Sequence, residues 1–299
     1  MLTFTLLHPL FGVNVSGIDL RQPWSDADFT KIRDAFERHA LVILRGQRID
    51  DAQQIAFSRR FGVLEKTRQG AQGQGSEVVI LTNIGADGAV VEPSHRQWLN
   101  TRANQLWHSD SSFKPVPAHA SLLSGRIVPA KGGETEFINL RAVWRALPVE
   151  LQRAAEGKIA IHDFSHSRAQ VDARVVTPEE RATVPPVRQP LVRVSDKGEK
   201  SIYIGSHASG IEGMAQVEAR TLLDQLLAFA VQPQFVYTHV WQAHDLLIWD
   251  NRCLLHRGRP FEPGLPRYLV RATVAGAGPL IEQAAVADAA RDARELVMQ

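Results

Sequence analysis

Three residues are placed to do chemistry. His108 and Asp110 lie in Trp107-His108-Ser109-Asp110, and His256 closes Trp249-Asp250-Asn251-Arg252-Cys253-Leu254-Leu255-His256. In an extended segment residues i and i+2 share a face, so His-x-Asp sets an imidazole beside a carboxylate. A third ligand from a distant strand completes a 2-His-1-carboxylate facial triad. Such a triad leaves the opposite coordination positions open, which suits non-haem Fe(II). Alone the pattern is weak, because the chain has 11 histidines and His-x-Asp recurs by chance.

The segment after His256 strengthens it. Arg267 and Arg271 lie eleven and fifteen residues downstream, in Pro-Arg-Tyr-Leu-Val-Arg-Ala-Thr-Val. That run is rich in β-branched and aromatic residues and reads as a strand with positions 267, 269 and 271 on one face. Two arginines on one face of a buried strand are costly unless anions meet them. The planar guanidinium fork suits bidentate carboxylates.

The positioning elements follow from periodicity and breakers. A β-rich opening over 2–20 turns at Gly12 and Gly17. Ser25 caps a helix carrying Phe29, Ile32, Phe36 and Ala40, and a strand follows at 41–44. A second helix over 51–61 stops at Gly62. Strands are expected at 78–81, 105–110 (carrying His-x-Asp), 119–128, 134–138, 201–204, 235–241, 245–250 and 267–274. Helices are expected over 140–156, broken at Pro148, and over 217–231. The glycine-rich stretch 66–77 lacks a P-loop's Gly-Lys-Ser/Thr ending and reads as loop, as do 84–103 and 163–190. Two lids, about 64–103 and 163–190, therefore flank the ligands. One catalytic domain is expected over 1–299, with its core at about 7–275. A tail over 279–299 has an amphipathic helix at 284–297.

Composition fits one soluble globular domain: 299 residues, 44% hydrophobic and 22% charged. A net charge of +2 gives no argument for nucleic acid or membrane partners. Cys253 is the single cysteine, so no intrachain disulfide forms, which fits a cytoplasmic protein. Its expected place is the core rather than the metal. The N-terminus lacks the basic n-region of a signal peptide.

Four motifs in order carry a resemblance: Asn104-Gln-Leu-Trp-His-Ser-Asp-Ser-Ser-Phe113, Gly132-Gly-Glu-Thr-Glu-Phe137, Gly205-Ser-His-Ala-Ser209 and Trp249-Asp-Asn-Arg-Cys-Leu-Leu-His-Arg-Gly258. Over residues 7–275 the chain resembles the Fe(II)/2-oxoglutarate dioxygenases of the taurine dioxygenase (TauD/TfdA) type, closest to those that cleave 2,4-dichlorophenoxyacetate. The resemblance implies a mixed α/β, mainly β fold: a double-stranded β-helix (jelly-roll, cupin-like) core with flanking helices. It implies Fe(II) on His108, Asp110 and His256, with 2-oxoglutarate and O2 as co-substrates and ascorbate to keep iron reduced. By the same resemblance, Thr135 and Arg267 hold the distal carboxylate of 2-oxoglutarate, with Asn104 near co-substrate or substrate. Arg271 meets the anionic group of a small-molecule carboxylate substrate, and relatives imply a homo-oligomer. Further substrate-side candidates are Ser111, His207, Trp107, Trp249 and Lys66.

Relatives that halogenate lack the carboxylate ligand, so Asp110 implies oxygen insertion. The implied reaction hydroxylates the carbon beside an ether oxygen, giving a phenol, glyoxylate, succinate and CO2. Taurine or alkylsulfonate oxidation is the alternative within the family. Against it, the loop after Phe61-Gly62 holds Lys66 and Arg68 but no histidine before His95. Outside the family, a zinc hydrolase uses the same ligands but has no need of Arg267.

Overall fold

The computed structural model describes residues 1–67, 72–92, 96–172, 176 and 178–281. The chain opens with β1 (Thr3–Leu6), β2 (Val13–Ser16), α1 (Asp26–His39), β3 (Leu41–Leu44) and α2 (Asp51–Ser58). Next come β4 (Val78–Thr82), α3 (Arg96–Ala103), β5 (Ala118–Ile127), β6 (Thr135–Asn139), α4 (Leu140–Ala146) and α5 (Val149–Ala155). The middle holds β7 (Ile159–His162), α6 (Phe164–Ala169), α7 (Pro178–Thr183), β8 (Val187–Pro190), β9 (Val192–Val194), β10 (Lys200–Ile202) and β11 (Ala208–Ile211). The chain continues with α8 (Gln216–Ala230), β12 (Val236–His239), β13 (Leu246–Asp250), β14 (Leu254–Gly258) and β15 (Tyr268–Ala275). The fold is mixed α and β, mainly β.

Local chemistry sets the helix starts. The Ser25 side chain accepts from Asp28 N, capping α1, and Asp50 forms a capping box with Gln53 at α2. Each cap satisfies backbone N–H groups that a helix leaves unpaired, worth about 1 kcal/mol. Helix α1 buries Phe29, Ile32 and Phe36, which recur at helical spacing.

A seven-stranded sheet runs β1-β2-β3-β13-β5-β15-β4, and a three-stranded sheet runs β12-β6-β14. Two-residue alternation places the core between and around them. From β3, Val42 and Leu44 face α1 and α2 together with Leu246, Ile248 and Val270. Their neighbours Leu41 and Ile43 face the opposite way, joining Leu247, Trp249 and Leu269, and there meet Phe137 of β6 and Leu254 of β14. Behind the small sheet, Ile138 and Leu255 pack against α4 and α8 through Leu140, Val143, Leu222 and Leu226. The gap between the sheets is thus filled at one end by aliphatic and aromatic side chains. Arg271, two residues from Leu269, and His256, two residues from Leu254, fall on the same inward faces.

Several expectations need correction. Residues 105–110 form no regular strand: His108 makes one isolated bridge with His256, and Asp110 lies in a turn. The 84–103 stretch ends in α3, whose buried apolar residues are Trp98 and Ala103, too few for an apolar stripe. The 163–190 stretch contains α6, α7 and β8, each too short to produce a readable period. The helix expected at 284–297 lies outside the described residues. Among the described residues no helix is long and apolar enough to cross a membrane.

Candidate metal and co-substrate site

His256 is delivered by β14, paired to β6 with His256 opposite Phe137. His108 is delivered by two backbone bonds to the same residue: His108 N donates to His256 O at 3.0 Å and His256 N to His108 O at 2.9 Å. The two imidazoles sit 4.2 Å apart by ring centroid. Asp110 completes the group, its oxygens 4.0 Å from His108 Nε2 and 3.8 Å from His256 Nε2. One donor atom from each residue lies within 4.8 Å of the others, and all three residues are buried.

Each donor is oriented by neighbours. His108 Nδ1 lies 2.7 Å from Leu106 O. A carbonyl only accepts, so Nδ1 carries the proton and Nε2 presents its lone pair to the site. The His256 ring packs 4.6 Å from the Trp249 ring and stacks on Phe137. Asp110 Oδ2 accepts from Ser121 Oγ at 2.7 Å and Oδ1 from Arg271 Nη1 at 2.5 Å. Asn251 closes the support: its Oδ1 accepts from Asp110 N and Trp249 Nε1, and its Nδ2 donates to Ser121 Oγ. Burial works against the Asp110 charge, yet the Arg271 guanidinium, helped by the Ser121 hydrogen bond, holds its carboxyl well below the usual carboxylate range. Burial also pushes both imidazoles below their ordinary value, favouring the neutral form that ligates metals.

A cavity of about 380 Å³ opens beside His108 and Asp110. Arg271 and Arg267 both line it, as the shared face of their segment requires. Arg267 differs from Arg271 in its company. Its Nη2 reaches only the carbonyl of Gly133, at 3.3 Å, and its buried Nε has no hydrogen-bond partner. Among the described residues no carboxylate pairs with it, and burial alone lowers its guanidinium to about 10. A partly buried cation with no counterion calls for an anion brought from outside. Gly133 is part of the cradle: with φ at +71° it adopts the left-handed region, and a Cβ there would meet Arg267 Nε at 3.3 Å. The neutral imidazole pair, the oriented carboxylate and this unmatched guanidinium fit Fe(II) with a dicarboxylate co-substrate.

Thr135 begins β6, opposite Gly258 and His239, and its buried Oγ accepts from Trp241 Nε1 at 3.0 Å. It lies beneath the cavity wall rather than among the lining residues. Asn104 lines the cavity and holds Gly258 through its carbonyl. Ser111, His207 and Lys66 also line it, Lys66 exposed at the rim. Ser111 turns its side chain to Glu65 rather than leaving it free, and His207 Nδ1 is bonded to Ser112 Oγ at 3.0 Å. Trp107 and Trp249 depart from the expectation of a substrate contact. Trp107 precedes His108, so its side chain points the opposite way, into the core behind the small sheet, with Arg257 over its ring. Trp249 is fully buried between the sheets and acts on the site through Asn251 and the His256 ring.

Sequence reasoning missed Ser121, Asn251, Trp241 and Glu65. Asn251 lay inside a quoted motif but carried no spacing that marks it. The others have no local signal, because each acts across a distance of many residues. Gly205, by contrast, was quoted, and the reason is now visible. Its φ is +128°, and a Cβ would come within 2.9 Å of Trp107 O, beside the first metal ligand.

Comparison with known proteins agrees with this geometry. The family model described as "Taurine catabolism dioxygenase TauD, TfdA family" matches residues 3–273. The chain is similar to the alpha-ketoglutarate-dependent 2,4-dichlorophenoxyacetate dioxygenase of Cupriavidus pinatubonensis, 41% identical over 89% of this chain and 95% of that protein. It is similar to the (S)-phenoxypropionate/alpha-ketoglutarate-dioxygenase of Delftia acidovorans, 35% identical over 89% and 92%. The crystal structure of AAD-2 in complex with Mn(II) and N-oxalylglycine superposes with a TM-score of 0.86 at 39% identity, covering 94% of this chain and 98% of that one. The chain belongs to the TauD, TfdA family of dioxygenases.

Proposed function

We propose that the protein is an Fe(II)/2-oxoglutarate-dependent dioxygenase that hydroxylates the carbon next to the ether oxygen of an aryloxyalkanoic acid. The observation that carries this reading is the cavity itself. It holds a buried two-histidine, one-aspartate group, an arginine without a counterion, and a second arginine anchored beside the metal carboxylate. The names of the similar enzymes supply the substrate class.

When bound, Fe(II) with 2-oxoglutarate and O2 supplies an oxidant for an unactivated C–H bond, releasing succinate and CO2. The chain's own share is placement. His108, Asp110 and His256 would hold the metal. Arg267 binds the far carboxylate of 2-oxoglutarate, with Thr135 assisting from β6 and Asn104 alongside. Arg271 keeps Nη1 on Asp110, while its buried Nε has no hydrogen-bond partner and receives the substrate carboxylate. Phe113, Phe164 and His207 form the wall for the aryl ring, with Phe113 4.9 Å from both Phe164 and His207. The hydroxylated carbon is a hemiacetal centre, which collapses to a phenol and, from an aryloxyacetate, glyoxylate.

The charges agree with this assignment. Fe(II), Asp110, Arg267 and Arg271 leave three net positive charges, matched by a 2-oxoglutarate dianion and a substrate monoanion. We further propose that the two sheets form a double-stranded β-helix within one catalytic domain, lids included. The protein works in the cytoplasm as a homo-oligomer, on a reduced Cys253 and on relatives of the family respectively.

Purified protein with Fe(II), 2-oxoglutarate, O2 and ascorbate tests the reading against phenoxyacetate, its dichloro derivative, both 2-aryloxypropionate enantiomers and taurine. Matched succinate and phenol are expected from an aryloxy acid. Succinate matched to sulfite from taurine would move the protein to the sulfonate branch, and no succinate above blank with iron loaded would overturn the dioxygenase reading.

A further inference from the structure

The cavity wall carries charges that the reaction does not call for, and one pair stands beside the metal ligands. Glu65 lies on the wall, mostly buried, although substrate and co-substrate are both anions. A carboxylate there repels substrate and co-substrate unless something cancels it. Lys114 does so: its Nζ donates to Glu65 Oε2 at 2.5 Å. The same oxygen accepts from Ser111 Oγ at 2.9 Å.

The pair sits at a sensitive place. Ser111 directly follows the metal ligand Asp110 and adopts φ of +55°, a left-handed conformation unusual for serine. Lys114 N donates to Ser111 O at 2.9 Å, closing a turn directly after the metal carboxylate. Gln189, fully buried on β8, fixes that turn from below by donating to the carbonyls of Ser112 and Lys114. Glu65 is fixed from the other side, its N–H bonded to Thr273 O of β15, the strand that carries Arg271. Lys114 therefore lines the cavity from the turn that follows Asp110, at a position set by the fold. Besides Arg267 and Arg271, three other cations among the described residues line the cavity: Lys66 is exposed, Arg168 stacks on Phe164 at the aromatic end, and Arg259 is paired with Glu136.

A monocarboxylate substrate has one anchor point. A freed lysine in addition to Arg271 would offer it two, and only one places the carbon beside the ether oxygen over the metal. We propose that Glu65 is a specificity-determining residue: by holding Lys114 in an ion pair on the cavity wall, it removes the cation that would compete with Arg271 for the substrate carboxylate. This deepens the aryloxy acid reading and rests on it.

The test is a mutant cycle of Glu65→Gln, Lys114→Met and the double variant. Glutamine keeps an acceptor for Ser111, so the turn beside Asp110 is retained. Protein loaded with Mn(II) and N-oxalylglycine is titrated calorimetrically with phenoxyacetate and separately with acetate, and the ratio of phenol to succinate is measured on the Fe(II) enzyme. With Lys114 freed, E65Q is expected to bind acetate about tenfold more tightly and to lose phenol relative to succinate. K114M, leaving Glu65 uncompensated, is expected to bind phenoxyacetate about tenfold more weakly. The double variant is expected to return both readouts to near wild type. A double variant no better than the worse single one, or E65Q that loses Mn(II) affinity, would overturn the proposal, the latter by making Glu65 a support of Asp110. If wild-type protein ignores phenoxyacetate, the aryloxy acid reading fails, and the acetate titrations still decide the role of the pair.

Discussion

Arg271 and Arg267 lie four residues apart on one face of one segment, yet they end in opposite electrostatic states. Arg271 is bonded to Asp110, which is itself bonded to Ser121 and backed by Asn251 and Trp249. Arg267 has a carbonyl, an aromatic ring 5.5 Å away and, among the described residues, no carboxylate. The first corner is tied to the metal carboxylate in the ligand-free chain, with Arg271 Nε left over, and the second meets an anion only with a dicarboxylate in place. A cation with no anion at all marks where a ligand must supply one, whereas one already tied to the metal carboxylate also holds the protein's own geometry.

The largest effect is expected where the first corner is removed. Asp110→Ala takes away a metal ligand and Arg271's partner together. Succinate formation should fall by about 1000-fold or more, equivalent to about 4 kcal/mol of barrier, with Mn(II) binding lost in calorimetry. Next, thermal melting of the metal-free protein should separate the arginines. Arg271→Met strands a buried carboxylate and should cost about 3 kcal/mol, while Arg267→Met removes an unmatched cation and should leave the melting temperature unchanged or higher. Equal losses in the two variants would erase the contrast.

A third unmatched group lies outside the cavity. His162 is fully buried with neither ring nitrogen hydrogen-bonded, and burial lowers it to about 4. The unfolded imidazole takes a proton near 6.5 and the folded one only near 4, so stability is full above pH 6.5 and drains as pH falls toward 4. The share of His162 in the loss across that window should be about 3 kcal/mol, so His162→Phe should lose about that much less than wild type, as read by denaturant titration at several pH values. The smallest effect concerns Thr135. The Trp241 N–H occupies one lone pair of its hydroxyl and leaves the proton to point elsewhere. Trp241→Phe should weaken 2-oxoglutarate about fivefold, a loss of about 1 kcal/mol, with little change in substrate affinity.

The two corners were not equally legible in the sequence. Ligand chemistry restricts residue type, so His108, Asp110 and His256 were readable from type and order, and a period of two put Arg267 and Arg271 on one face. The strand order was not readable, because pairing β15 between β5 and β4 depends on contacts across more than a hundred residues. For the same reason Ser121, Glu65 and Trp241 gave no signal: each meets its partner only after folding. Trp107 misled for the opposite reason. Its closeness to His108 in sequence suggested closeness in the cavity, but adjacent side chains of an extended segment point apart.

The most direct test is calorimetric titration of 2-oxoglutarate into Mn(II)-loaded wild-type, Arg267→Met and Arg271→Met proteins. The account predicts that Arg267→Met weakens 2-oxoglutarate by about 100-fold, as expected for loss of a charge-assisted bidentate contact, while Arg271→Met retains it within severalfold. Retention by Arg267→Met with loss in Arg271→Met would contradict it, placing the dicarboxylate at the other corner.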